Sequence, residues 1–359
     1  MFSLAMYMQF PRLPLAMLLI FNISKILAQI AGQTQQIIVG LYRYADYNKY
    51  MQNLPRKEFN QNAVYMLMAM IFVMIIVGSV LGSLSSAGIV DRNNLFVLVG
   101  FSAIQFGLFL CIFFVYWRVS GVGMDGLRQM WLGKVSVRPR NLALVVVLVV
   151  VCITGFFLAT GAFEEFLRLV GFSRDDGGNR LGKMDTFWIY LLMVLVSAVL
   201  PAVVEEIIFR GAILRGLMRY GPATAVILSS VLFSLVHMNP LQTVYQFALG
   251  IVLALVVLKT GKLIYAIILH FINNFAIITY TFITGSYVIP VTWSVWTVLL
   301  AVALVGVAVA LIRLVLVNLK NEGQENQIQE KDKLFSFDSI GALIVVTLVV
   351  AVWFSILLG

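Results

Sequence analysis

The sequence predicts an all-α fold, a polytopic bundle of membrane-spanning helices, on three observations. Of 359 residues, 61% are hydrophobic and only 11% are charged, against about 45–50% and 25% in soluble domains. The mean hydropathy is +0.98. Apolar runs recur at the length of about 20 residues that a helix needs to cross some 30 Å of hydrocarbon. This composition excludes a soluble globular domain, a disordered chain, a collagen-like repeat and a disulfide scaffold. Cys111 and Cys152 lie inside apolar runs and read as buried thiols.

The runs fall at about 63–83, 95–117, 141–163, 186–214, 222–238, 240–258, 262–283, 292–318 and 339–358. They amount to about eight core transmembrane helices and an additional C-terminal one. Gly221-Pro222, Asn239-Pro240, Thr260-Gly261 and Ile289-Pro290 punctuate their ends. The stretch 13–31 is apolar but interrupted by Asn22, Ser24, Lys25 and Gln29, so it reads as an interfacial helix, with a further span as the alternative. No basic residue precedes Arg12 and no clean small-residue cleavage site follows, so a cleaved signal peptide is not expected. The organisation is an N-terminal interfacial or apolar segment (1–62), a transmembrane bundle (63–318), a polar linker (319–338) and a C-terminal transmembrane helix (339–359).

The formal net charge of +9 would suggest nucleic acid in a soluble protein. Here the basic residues flank apolar runs, where they orient helices by the positive-inside rule. Arg118, Arg128, Lys134, Arg138 and Arg140 face only Asp125 in one loop, which is therefore expected on the cytoplasmic side. The next loop mixes Glu164, Glu165, Asp175, Asp176 and Asp185 with Arg168, Arg174, Arg180 and Lys183 and suits the outer side. Counting onward brings Arg215, Arg219, Lys259 and Lys262 back to the cytoplasm. The expected location is a cytoplasmic membrane, and the short loops suggest a prokaryotic one. The lipid bilayer is the expected partner, nucleic acid is not, and the sequence does not specify an oligomeric state.

Charged groups inside the runs are few, and each costs roughly 2.5–3.5 kcal/mol at a helix centre on insertion scales. The segment Pro201-Ala-Val-Val-Glu205-Glu206-Ile-Ile-Phe209-Arg210 carries two adjacent carboxylates and a guanidinium, and the chain's only histidines, His237 and His270, also lie in apolar runs. Helical spacing puts Arg210 under Glu206 as a buried ion pair. It turns Glu205 about 100° away, without that partner. By the same spacing Asn274 lies under His270, and Phe233 lies under His237 as an aromatic wall. Glu205 and His237 are equidistant from Gly221-Pro222, so an antiparallel hairpin sets them face to face. Glu206 lies about 14 Å from Arg215 along its helix and His270 about 12 Å from Lys262, at the same level. One tension follows: His237 is three residues from Pro240, so a full span over 222–238 would carry the imidazole toward the outer face. The hairpin must be short or the depth wrong by a turn.

Singly, a buried Glu–Arg pair is often a clamp and a histidine a satisfied hydrogen-bonder. The two histidines at the level of the one double glutamate in a helix point further, whereas Glu164-Glu165 reads as a solvated acidic loop. A carboxylate beside an imidazole can take a proton from water. A His–Asn pair can stabilise the oxyanion of a tetrahedral intermediate. That chemistry suits hydrolysis of a peptide bond in a membrane-anchored peptide or protein substrate. Zinc held by Glu205, His237 and His270 is the alternative, although there is no His-Glu-x-x-His helix motif; otherwise no cofactor is expected. A transporter would predict repeated halves or matching broken helices, which the sequence lacks. A non-catalytic scaffold or immunity protein is the remaining rival.

Glu205-Glu206-x-x-x-Arg210, Phe233-x-x-x-His237 and His270-x-x-x-Asn274, in this order on successive apolar helices, resemble the CPBP family. That family comprises CAAX prenyl proteases of the second type, bacteriocin-processing enzymes and abortive-infection-type proteins. The resemblance covers roughly 195–285, and no motif position departs from the pattern. It implies an all-helical membrane fold with a cavity opening toward the cytosol, and an intramembrane endopeptidase of the glutamate type. It further implies Glu205 as general base assisted by His237, an oxyanion site of His270 and Asn274, and Glu206 with Arg210 shaping the site.

Overall fold

The computed structural model describes residues 58–91, 94–120, 137–169, 186–237, 242–285 and 295–318. Among these every regular element is helical: α1 (Glu58–Ser86), α2 (Leu95–Val119), α3 (Pro139–Leu169), α4 (Phe187–Leu217), α5 (Pro222–Val236), α6 (Thr243–Thr260), α7 (Leu263–Thr284) and α8 (Val295–Asn318). The interfacial helix expected at 13–31, the linker 319–338, the C-terminal helix and the charged loops 121–136 and 170–185 lie outside the described residues. Five segments (Tyr65–Ser86, Phe96–Val119, Phe187–Leu217, Thr243–Thr260 and Leu263–Thr284) are long and apolar enough to cross a membrane. Their outer faces carry Phe72, Ile104, Phe114 and Trp188 exposed, an arrangement that lipid tolerates and water does not. The chain is a multi-pass membrane protein.

Local sequence explains the helix ends. Asn94 caps α2, its side chain accepting from the Phe96 amide at 2.9 Å, and Thr186 caps α4 by accepting from the Ile189 amide. Gly221 ends the extension of α4 with φ 102° and ψ 152°, a conformation that glycine adopts without steric cost. The chain then reverses into α5, whose first residue, Pro222, needs no amide hydrogen there.

Three expectations change. The helix predicted over 186–214 is not uniform: it widens into π turns at Leu195–Val199 and again at Ile207–Leu214, with regular helix over Leu200–Glu206 between them. Pro201 has no amide hydrogen for the Ser197 carbonyl, and its ring crowds that carbonyl; the wider turn just before it makes room. Second, Glu164 and Glu165 belong to α3, which continues to Leu169, rather than to a loop. At 31 residues this helix is about 46 Å long, enough to pass beyond the hydrocarbon with its charged end. Third, Cys111 is exposed on α2 while Cys152 is buried; in an apolar solvent a thiol has no need of the interior.

Packing sorts the described residues into two large clusters and a small third one of Tyr190, Met193 and Ile278. One joins α3, α6, α7 and α8, with the end of α4 and the start of α5, around Leu148, Leu249, Leu253 and Leu269. The other joins α1, α2, α4 and α5 around Met70, Phe113, Ile208 and Phe233. Helices α5 and α6 form an antiparallel hairpin in which a Cβ on Gly250 would stand 2.9 Å from the Cβ of Ser230. Small residues thus let the two backbones approach closely. At 15 residues, α5 is about 22 Å long, short of the roughly 30 Å of hydrocarbon. Of the two readings of His237, the length of α5 supports the short helical pair, since a helix of this length ends before a full membrane thickness.

Candidate active site

The two clusters meet where the motif residues lie. On α4, Glu206 is fully buried, and its Oε1 accepts from Arg210 Nη1 at 2.6 Å. The wide turn begins directly after Glu206, so the i, i+4 pair straddles the junction between regular and π geometry. Arg210 donates a second bond through Nη2 to the Gly250 carbonyl of α6 at 3.3 Å. Its guanidinium carbon lies 4.2 Å from the ring centre of Phe233, a cation–π contact strengthened by the absence of water. The arginine is thereby held from three sides, which is what a buried charge requires.

Phe233 stands at the centre. Its ring is wholly buried and edge-on to Phe209 at 5.2 Å, His237 at 4.8 Å and His270 at 5.8 Å. The sequence placed it beside His237; the structure sets it against both imidazoles and the guanidinium. His237, the C-terminal cap of α5, pairs Nδ1 with the Phe233 carbonyl at 2.7 Å. A carbonyl only accepts, so Nδ1 carries the hydrogen, and in a neutral ring Nε2 carries the lone pair. That Nε2 lies 3.8 Å from Glu205 Oε2, as equal distance from the Gly221 turn predicts.

His270 of α7 is buried, with Nδ1 2.9 Å from Glu206 Oε1 and Nε2 3.9 Å from Glu205 Oε2. His270 and Asn274 stand four residues apart in the regular helix α7 and so share a face, and His270 is tied to the glutamate pair. Asn274 instead accepts through Oδ1 from Asn273 Nδ2 at 3.2 Å, and Asn273 Nδ2 also donates to the Tyr245 hydroxyl. Asn273 and Tyr245, both buried, escape the motif reading, although an asparagine doublet in an apolar run is itself a polar signal. Gly250 and Ser230 escape it too, since a close approach between helices leaves no mark on either sequence.

The arrangement therefore presents one carboxylate oxygen, Glu205 Oε2, with two imidazole nitrogens nearby and no hydrogen-bond partner among the described residues. The neighbouring carboxylate is neutralised by Arg210. Glu205 itself is partly exposed, at 15% of its side chain, whereas Glu206 is sealed. Among the described residues no group of three or more His, Cys, Asp or Glu side chains is arranged to hold a metal ion.

Comparison with known proteins bears on this region. Residues 187–276 match the family model "Type II CAAX prenyl endopeptidase Rce1-like". No curated protein and no solved structure matches the chain. The matched interval runs from the start of α4 to just past Asn274 and contains all seven motif residues, from Glu205 to Asn274. Over residues 187–276 the chain is similar to the Rce1-like type II CAAX prenyl endopeptidases, a family of membrane proteases.

Proposed function

We propose that the protein is a glutamate-type intramembrane endopeptidase acting on a membrane-tethered peptide or protein. One observation carries this reading: two imidazole nitrogens, His237 Nε2 and His270 Nε2, lie 3.8 and 3.9 Å from the same oxygen of the one carboxylate that Arg210 does not neutralise. Glu205 Oε2 and His237 Nε2 are both acceptors in the neutral-ring state. They are too far apart for a direct hydrogen bond, and a water set off their axis at about 2.8 Å from each can donate one hydrogen to each. That water turns a lone pair toward a carbonyl entering the site.

As the water oxygen bonds to the carbonyl carbon, Glu205 takes its proton. Asn274 Nδ2, from which no described residue accepts a hydrogen bond, is free to donate to the developing oxyanion. His270 donates there through Nε2 when its ring carries both protons; two carboxylates are then balanced by a guanidinium and an imidazolium. Collapse of the intermediate breaks the C–N bond, and the proton held by Glu205 passes to the leaving nitrogen. Glu206 and Arg210 hold His270 and Phe233 in place, and Phe233 walls the imidazoles with its ring.

In this reading the site opens to the cytoplasmic side of a prokaryotic cytoplasmic membrane, within a bundle of about eight core helices, and works without a cofactor. The family description names prenylated CAAX termini; a bacteriocin leader or another membrane protein would meet the same chemistry. The test is Glu205→Gln, which keeps size and hydrogen bonding but removes the proton acceptor. Quantitative membrane proteomics of cells carrying the parent or this variant should show a cleavage product present only with the parent, at unchanged abundance and thermal stability of the protein. A product that persists with Glu205→Gln removes Glu205 as the base.

A further inference from the structure

The run His270-Phe271-Ile272-Asn273-Asn274 sets two carboxamides side by side on α7. Asn273 is fully buried. Its Nδ2 makes two bonds, one to the Tyr245 hydroxyl across the gap to α6 and one to Asn274 Oδ1 at 3.2 Å. Its Oδ1 meets no hydrogen-bond partner among the described residues. A carboxamide has an acceptor end and a donor end that differ little in shape, so its function depends on which end faces the site. Asn273 Nδ2 donates one hydrogen to each neighbour, so the Tyr245 hydroxyl and Asn274 Oδ1 both accept from it. The donor end of Asn273 holds the acceptor end of Asn274, which turns the donor end of Asn274 outward. The reverse orientation would present an oxygen lone pair to a forming oxyanion.

We infer that Asn273 and Tyr245 are positioning residues that fix the polarity of the Asn274 carboxamide, so that it meets the tetrahedral intermediate as a donor. The inference rests on the reading of Asn274 as an oxyanion donor. Burying an asparagine with an unpaired oxygen carries a cost, which this positioning role explains and packing alone does not, since leucine would fill a similar volume.

The test uses the full chain in proteoliposomes with an internally quenched, farnesylated CAAX peptide as probe. Asn273→Asp removes both N–H groups and puts an acceptor beside Asn274, whose Nδ2 then turns inward. The expected result is a fall in kcat of about a hundredfold, as for loss of one oxyanion donor, with KM within about twofold. Tyr245→Phe should lower kcat about fivefold, the loss of one neutral hydrogen bond, again at constant KM. In an Asn274→Ala background neither change should lower kcat further, because both act through the missing amide. Unchanged kcat in Asn273→Asp, a loss confined to KM, or full additivity with Asn274→Ala would overturn the inference. Unchanged kcat in Asn274→Ala alone would instead remove the catalytic reading beneath it. Independently of turnover, solid-state NMR of asparagine-labelled protein should show the Asn274 side-chain nitrogen shifting in Asn273→Asp; a fixed resonance there also overturns the inference.

Discussion

At the scale of single residues, two adjacent glutamates meet opposite fates because a helix turns about 100° per residue. Glu206 faces inward to Arg210 and His270 and is fully buried, whereas Glu205 faces two imidazoles and is partly exposed. Their substitutions should therefore differ in kind. Arg210→Ala leaves the Glu206 carboxylate uncompensated in the interior and also removes the cation from Phe233 and the donor to Gly250. Breaking a buried pair in this way costs about 3–5 kcal/mol. Its thermal unfolding in detergent should fall well below that of Glu205→Gln, and a midpoint equal to the parent's would show that the pair is not a clamp. Much of this was legible in the sequence, since the i, i+4 spacing pairs Glu206 with Arg210 and the hairpin pairs Glu205 with His237. The bond from His270 to Glu206 was not, because it joins residues 64 apart and their relative rotation depends on how α7 packs against α4.

At the scale of elements, the site depends on close contact between α5 and α6. Gly250 offers its carbonyl to Arg210, and a Cβ at this position would meet the Cβ and Cα of Ser230 at 2.9 and 3.0 Å. Gly250→Ala would bring its new methyl to 2.9 Å of the Ser230 Cβ, so the hairpin must open by some tenths of an ångström and carry the carbonyl away from Arg210. Both thermal stability and proteolysis should fall, and pairing it with Ser230→Gly should recover part of the loss. No recovery in that double variant would place the damage elsewhere. The same scale holds the largest departure from expectation. Periodicity identifies 186–214 as one apolar helix, but period alone cannot register the π turns that flank Leu200–Glu206. Only Pro201 hints at the first of them, through the hydrogen bond it cannot make. The extension of α3 through Glu164 and Glu165 was likewise hidden, because acidic residues near an apolar run read as loop even where their helix propensity is good.

At the scale of the whole molecule, the bundle brings three motifs from α4, α5 and α7 to the boundary between two packed clusters. A protease that uses a carboxylate and imidazoles needs no Lewis acid, so activity should survive dialysis against EDTA and 1,10-phenanthroline. Loss on dialysis with restoration by zinc would overturn the glutamate mechanism in favour of Glu205, His237 and His270 as ligands.

Composition and hydrophobic run length determined by themselves that this chain lives in lipid and is helical, because a bilayer offers no water to satisfy a backbone and helices satisfy it internally. Helical and hairpin spacing then singled out the residues of the candidate site, since those relations are local or turn on one reversal of the chain. The tertiary structure alone decided which partner each polar group takes: Glu206 for His270, the Gly250 carbonyl for Arg210, and Asn273 with Tyr245 beside Asn274. Those choices depend on the rotation and separation of helices distant in sequence. Apolar periodicity defines which face of a helix is buried only to within a stripe, whereas a hydrogen bond selects one atom.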